Sequence, residues 1–345
     1  MLAVKIYGPN SIKIEDIPVK EPESGEALIR IKAAGLCGTD YELYTGDMIY
    51  LKLGMSKLPI VPGHEWAGVI EKLGPDTQGY AVGDKVTGRC TVNCGHCSFC
   101  AQGNLSMCVN RTETGVMNRD GGFEQFITFP VSHLHKFKNI PFNEAALIEP
   151  TAIAMYAVKQ AGVGPFDNVM VCGPGPVGLQ SAQIAKKVFG AKRVILTGTR
   201  AERLNRAESF GLDGCINIRE EDLKQRVTEL TEGEMIDVVI EESGGAGVFA
   251  DIQRVIKPLG RVVLNGFFGG KRADIDWDFI TTNEIAIRGT LGSANVWDDV
   301  IYMLETEKIE VKSLISHVMK LEEFEKGLDM MVSRKDNACK IIFNP

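Results

Sequence analysis

The chain has 345 residues, of which 44% are hydrophobic and 24% charged, and a net charge of −7. That length suits about two domains, each with its own core, and an acidic balance with no basic cluster argues against a nucleic-acid partner. No apolar run approaches the roughly 20 residues of a membrane-spanning helix, and the opening "MLAVKIYGPNSIKIEDIPVK" lacks the apolar core and cleavage site of a signal peptide, so a cytoplasmic protein with no membrane association is expected.

Short β-rich runs open the chain: "LAVKIYG", "EALIRIKAAG", "WAGVIEKLG" and "EQFITFP". Gly, Pro and polar residues punctuate them, as in a strand-and-turn domain. Within this part, "GLCGTDYELYTG" and "VPGHEWAGVIEKLG" place Cys37, His64 and Glu65 on turns held by glycines. A thiol, an imidazole and a carboxylate are soft, borderline and hard donors, and three protein ligands with one open position are what a catalytic zinc requires. Taken singly, each has a plainer reading as a core thiol, a satisfied core histidine or a helix-start acid.

Five of the nine cysteines fall between Cys90 and Cys108. An odd total and a reducing compartment argue against a disulfide framework. Cys94, Cys97, Cys100 and Cys108 follow the spacing C-x2-C-x2-C-x7-C, which can close a tetrahedral zinc shell without water. A C-x-x-C redox pair would leave two thiols unexplained, and iron–sulfur ligation tolerates the same spacing. Structural zinc is the expectation. Cys90 falls outside the spacing and reads as a buried thiol.

From about Asn168 the rhythm changes. The runs "NVMVCG", "RVILTG", "GCINI", "DVVIEES" and "RVVLNG" are short and apolar, and the first four each precede a stretch of helical spacing. Such alternation marks a parallel sheet covered by helices. The first turn carries Gly173, Gly175 and Gly178 as G-x-G-x-x-G, with Pro176 and Val177 between the last two. After a strand and opening a helix, this loop suits a pyrophosphate at the helix N-terminus, although a bare glycine turn is the plainer alternative. The second run ends in Gly198 where an NAD site usually carries Asp or Glu, and Thr199 and Arg200 follow. Loss of that carboxylate with a cation nearby favours NADP over NAD, unless Arg200 is simply solvated. Further on, "NVWDDVIYMLETEKI" reads as a helix and "KIIF" as a last strand.

In this order, G-x-C-G-T-D at 35–40, G-H-E-x-x-G at 63–68, the four spaced cysteines, "GGFEQF", "EP" and the glycine loop make the chain resemble the zinc-dependent medium-chain alcohol dehydrogenase family along its full length. The resemblance implies an α/β protein: a GroES-like β-rich catalytic domain of residues 1–150 and 288–345, with a zinc lobe at about 90–112, and a Rossmann domain of 151–287. It implies two zinc ions per chain and a nicotinamide cofactor. It assigns Cys37 and His64 as catalytic zinc ligands with Glu149 of "ALIEP" as the third, and Glu65 as a neighbouring carboxylate able to exchange on and off the metal. By the same resemblance Asp40 orients the ring of His64 and Thr39 takes the substrate proton. The implied reaction interconverts a secondary alcohol (a polyol, sugar or cyclitol) and its ketone, with L-threonine or another amino alcohol as the alternative substrate. A non-catalytic NADPH-binding protein is the alternative from another class, but it would be expected to have lost ligands that are all present. One departure is Asp40-Tyr41-Glu42, where threonine dehydrogenases among others carry a histidine two residues after C-G-T-D. A homo-oligomer, dimer or tetramer, is expected, with a small alcohol or ketone as the partner molecule.

Overall fold

A computed structural model describes every residue except Arg334. Two compact units divide the chain. The first comprises Met1–Pro150, Gly292–Glu307 and Val311–Pro345, and the second Thr151–Leu291 with Lys308–Glu310. The second unit runs past residue 287 because the strand Ala286–Gly289 is the outer member of its sheet. Its short return segment is held there by hydrogen bonds: the Gln180 and Gln183 amides donate to the Glu310 carbonyl at 2.8 and 2.9 Å.

In the first unit a seven-stranded sheet runs in the order Leu134–Lys136, Lys85–Gly88, Glu65–Leu73, Glu26–Gly35, Lys340–Asn344 and Ile315–Lys320, with Phe126–Pro130 also paired to Glu26–Gly35. Alternation in Glu26–Gly35 and its neighbours sends one set of apolar side chains inward. Trp66, Phe123, Phe129, Phe324 and Phe343 lie together in that core, and Phe123 meets Phe324 edge-on at 4.8 Å. The last strand enters this sheet beside Glu26–Gly35, antiparallel, pairing Phe343 with Ala34 and Ile342 with Gly35. That pairing delivers Lys340 to the turn that carries Cys37. A small three-stranded sheet, Thr91–Val92, Thr112–Thr114 and Asn118–Arg119, flanks the cysteine-rich lobe.

The second unit holds six parallel strands in the order Gly214–Asn217, Arg193–Gly198, Asn168–Cys172, Ile236–Glu241, Ile256–Leu264 and Ala286–Gly289. In chain order this is 3-2-1-4-5-6, the doubly wound arrangement whose ligand crevice lies at the carboxyl ends of the strands. Met170, Ile195, Ile216, Val239 and Val262 are buried in its core. Their continuous apolar runs, rather than alternation, reflect strands covered on both faces. Among the described residues no helix is long and apolar enough to cross a membrane.

Candidate functional site

Cys37 ends an extended segment and precedes the helix Gly38–Thr45. The Asp40 carboxylate reaches back to accept a hydrogen bond from the Cys37 N–H at 2.8 Å and one from the Gly63 N–H at 3.1 Å. One buried carboxylate thereby ties the turn bearing Cys37 to the turn bearing His64. Asp40 bonds the backbone here, not the ring of His64, because a donor left unpaired in a buried turn is costly. The attraction between the two side chains remains, since each shifts the pKa of the other.

Donor atoms of Cys37, His64 and Glu65 lie within 4.8 Å of one another. The Thr39 hydroxyl stands 3.8 Å from the Cys37 sulfur. Glu65 begins its strand with its carboxylate above Gly35, where a Cβ would sit 2.3 Å from Oε2, so a larger residue at the start of the "GLCGTD" run would displace the Glu65 carboxylate. Glu149 lies in the first turn of the helix Ile148–Gln160 and is 3% exposed. It falls outside the 4.8 Å triad, although its charge acts on His64.

The pocket is crowded with acids. Burial pushes Asp40 up to about 6 and Glu149 up to about 7. Burial opposes charge on the His64 ring, but Cys37, Asp40 and Glu149 outweigh it and raise its pKa well above the ordinary value. His64 Nδ1 is buried without a hydrogen-bond partner, which costs free energy unless something coordinates it. An orphaned imidazole nitrogen among a thiol and carboxylates fits a divalent cation.

Two features of this pocket were not read from the sequence. Lys340, 3% exposed, donates to both oxygens of Glu65 at 2.6 and 2.7 Å and to the Leu36 carbonyl at 3.1 Å. It lies 275 residues from Glu65, so no spacing rule links them. Cys90, expected as a buried thiol, is half-buried and packs against the cluster of Leu43, Met48 and Tyr50; desolvation raises its pKa well above the ordinary value, and Glu113, Glu149 and Cys37 add to the shift. It stands apart from the cluster formed by the other four thiols of its segment.

Those four form their own cluster. The sulfurs of Cys94, Cys97, Cys100 and Cys108 lie within 4.8 Å of one another, with Cys97–Cys100 and Cys94–Cys108 both at 3.5 Å. All nine cysteines of the chain are free thiols. Backbone hydrogen bonds lower the pKa of Cys94 and Cys97, while burial raises that of Cys108. Four thiols at this separation, two of them poised to ionise, suit a tetrahedral S4 site.

The glycine loop follows the strand Asn168–Cys172. Gly173 has φ +106°, open to glycine and strained for other residues. Gly175 caps the helix Pro176–Lys187 and a Cβ there would meet nothing within 4 Å, whereas at Gly178 it would lie 1.9 Å from the Gly173 carbonyl oxygen. The helix N-terminus at Pro176 and Val177 is thus left open on the side where an anion would sit. Gly198 has a packing reason of its own: a Cβ there would stand 2.6 Å from the Pro174 ring. Thr199 is exposed, and Arg200 is the N-cap of the short helix Ala201–Leu204.

Residues 23–139 match the family profile of the alcohol dehydrogenase GroES-like domain, and residues 176–306 that of the zinc-binding dehydrogenases. The erythritol/L-threitol dehydrogenase of Mycolicibacterium smegmatis is 32% identical over 98% of this chain and 96% of its own length. The sorbitol dehydrogenase of Halalkalibacterium halodurans is 30% identical over 98% and 97%. The L-threonine 3-dehydrogenase of Shewanella frigidimarina is 30% identical over 99% and 98%. Among solved structures, a short chain alcohol dehydrogenase from E. coli CFT073 complexed with NADH superposes with a TM-score of 0.91 at 28% identity, covering 100% of this chain and 99% of that one. A protein of Sinorhizobium meliloti 1021 bound to NADP gives a TM-score of 0.90 at 26% identity, with the same coverage.

Proposed function

We propose, for a chain that belongs to the zinc-dependent medium-chain alcohol dehydrogenase family, a substrate that is a secondary alcohol bearing further hydroxyls, oxidised reversibly to its ketone. The family makes the protein an oxidoreductase that uses zinc and a nicotinamide dinucleotide on a small-molecule alcohol. Polyol specificity is supported by two of the relatives, named erythritol/L-threitol and sorbitol dehydrogenases. L-Threonine is the second reading, supported by the relative named for it. The absence of histidine at position 42, where Glu42 stands, weighs against it.

The carrying observation is the orphaned ring nitrogen of His64, set close to the Cys37 thiol and the Glu65 carboxylate and under the charge of the buried Glu149. Cys37, His64 and Glu149 would hold the catalytic zinc. Lys340 already neutralises Glu65, which leaves Glu149 as the uncommitted carboxylate and Glu65 as the one able to exchange onto the metal. When bound, zinc supplies Lewis-acid polarisation of the substrate oxygen, and the nicotinamide accepts the hydride. Thr39, beside Cys37, takes the hydroxyl proton. Asp40 fixes the two ligand-bearing turns, while burial keeps water from the reacting atoms.

Cys94, Cys97, Cys100 and Cys108 would hold a second, structural zinc, giving two per chain. Gly173, Gly175, Pro176, Val177 and Gly178 would receive the pyrophosphate, and Thr199 and Arg200 a 2′-phosphate, favouring NADP over NAD. The four-thiol cluster, which can hold a metal only when reduced, supports a reducing, cytoplasmic compartment. A homo-oligomer is supported by exposed apolar side chains of the second unit, Leu259 at 69% and Trp277 at 66%; the Leu259 N–H donates to the Asn283 carbonyl at 2.8 Å, just before the edge strand Ala286–Gly289. A panel of polyols and amino alcohols, read by absorbance of reduced cofactor, tests the substrate. Turnover of threonine with none of any polyol would overturn the reading.

A further inference from the structure

Glu242 follows the strand Ile236–Glu241 at the carboxyl edge of the parallel sheet. Its N–H donates to the Cys172 carbonyl at 2.9 Å, immediately before the glycine loop. The side chain lies under that loop: a Cβ at Gly178 would stand 3.4 Å from the Glu242 Cβ, and one at Gly173 3.0 Å from the Ser243 Cα. One carboxylate oxygen accepts from the Ser181 hydroxyl at 2.8 Å, and Ser181 lies on the helix that the glycine loop opens. The other accepts from the Asn265 amide at 2.7 Å, and the Asn265 carbonyl oxygen accepts from Thr290 at 3.0 Å. Ser181 is the sixth residue of its helix, which puts Glu242 on the order of 8 Å from the helix start at 1.5 Å per residue.

Nothing in the dehydrogenase reaction requires an acid here. A fixed negative charge this close to the helix N-terminus weakens the positive potential that would hold a pyrophosphate. We propose that Glu242 is a positioning residue of the dinucleotide site that takes up a proton as the cofactor binds, so that affinity for the dinucleotide falls as pH rises. The inference rests on the glycine loop being the pyrophosphate site.

The half-buried Glu242 carboxyl is raised to about 7 by desolvation under the loop, against the stabilising bonds from Asn265 and Ser181, with Glu241 adding to the rise. Among the described residues the titratable groups beside it are Glu241 and Cys172. Glu241 spends its own carboxylate on the N–H groups of Ser243 at 2.7 Å and Gly244 at 3.0 Å. Burial pushes the Cys172 thiol well up, so it stays neutral. A bound anion disfavours the charged form of Glu242, so its pKa in the complex lies above that in the free protein. Affinity is therefore full below pH 7 and weakens as pH rises from about 7 towards the higher value of the complex.

The test uses ADP-ribose, whose pyrophosphate stays fully ionised from pH 6 to 9, titrated into the zinc-loaded protein by calorimetry in two buffers of different ionisation heat. A rise of roughly one unit in the Glu242 pKa on binding corresponds to a Kd about tenfold weaker at high pH, with net proton uptake near pH 7.5. Glu242→Gln should abolish both the slope and the proton uptake while binding tightly throughout. Ser181→Ala removes a donor to the carboxylate and should move the uptake window to higher pH. A flat wild-type profile, or an unchanged slope in Glu242→Gln or an unmoved window in Ser181→Ala, overturns the role of Glu242 and leaves the loop assignment standing. Absence of ADP-ribose binding at every pH overturns both.

Discussion

Replacing Lys340 by Met removes one half of an ion pair whose members are 3% and 1% exposed. The Glu65 carboxylate then loses two hydrogen bonds of 2.6 and 2.7 Å and stays buried beside Cys37 and Glu149. Breaking a buried pair from one side typically costs about 3–5 kcal/mol, because the remaining charge is uncompensated. The Leu36 carbonyl also loses its 3.1 Å donor, which adds roughly 1 kcal/mol. Removing both charges, as Lys340→Met with Glu65→Gln, should cost far less than the sum of the two single changes, so a double-mutant cycle should give a coupling above the roughly 0.5–3 kcal/mol usual for contacting residues. Urea unfolding of the first unit, followed in a Trp277→Phe background by the fluorescence of its two buried tryptophans, Trp66 and Trp297, reads each stability. Zinc retention under chelator challenge reads the second consequence: a freed Glu65 should compete for the metal and change its release rate. A Lys340→Met protein within about 0.5 kcal/mol of wild type, the range of an ordinary surface substitution, would refute the reasoning.

Cys97→Ser should reduce zinc from two per chain to one, with lowered thermal stability, measured by metal analysis and calorimetry. A well-folded variant with two tightly held zincs would contradict the four-thiolate site. Gly175→Ala should fold like wild type and lose cofactor affinity, since a Cβ there points into open space, whereas Gly178→Ala should destabilise the loop itself through the 1.9 Å clash with the Gly173 oxygen. Thr39→Ala should lower kcat by about 10²–10⁴-fold, the range of positioned proton transfer, with ADP-ribose affinity unchanged. Arg200→Asn should cut the preference for NADP by one to two powers of ten, the equivalent of a charge-assisted bond of about 1.5–3 kcal/mol. Gly198 is left intact in that variant because a side chain there would strike Pro174.

Much of this was legible in the residues. Runs such as "EALIRIKAAG" and "RVILTG" became the strands Glu26–Gly35 and Arg193–Gly198 because their apolar period matches the burial each sheet imposes. The four lobe cysteines meet because all lie within one short loop-rich segment, where spacing dictates proximity. Cys37 and His64 were recognisable as zinc-type donors on two separate turns, but how the turns meet was not. The antiparallel pairing of Gly35 with Glu65 brings the two turns together and Asp40 ties their backbones, and no single-residue signal announces either. Lys340 was invisible for the same reason on a longer scale, since strand pairing from the far end of the chain places it. Glu242 looked like one acid of "DVVIEES". Only the packing of Ser181 and Asn265 around it distinguishes it from a solvated carboxylate.

The central claim is that Cys37, His64 and Glu149 hold the zinc on which alcohol oxidation depends. Metal content and polyol turnover, measured together on wild type and His64→Ala, test it most directly. The account predicts two zincs and NAD(P)-dependent turnover for the wild type. For His64→Ala it predicts one zinc, no turnover and undiminished ADP-ribose binding, because the dinucleotide is bound by the other unit. Wild-type turnover by a His64→Ala protein that has lost its second zinc would contradict it.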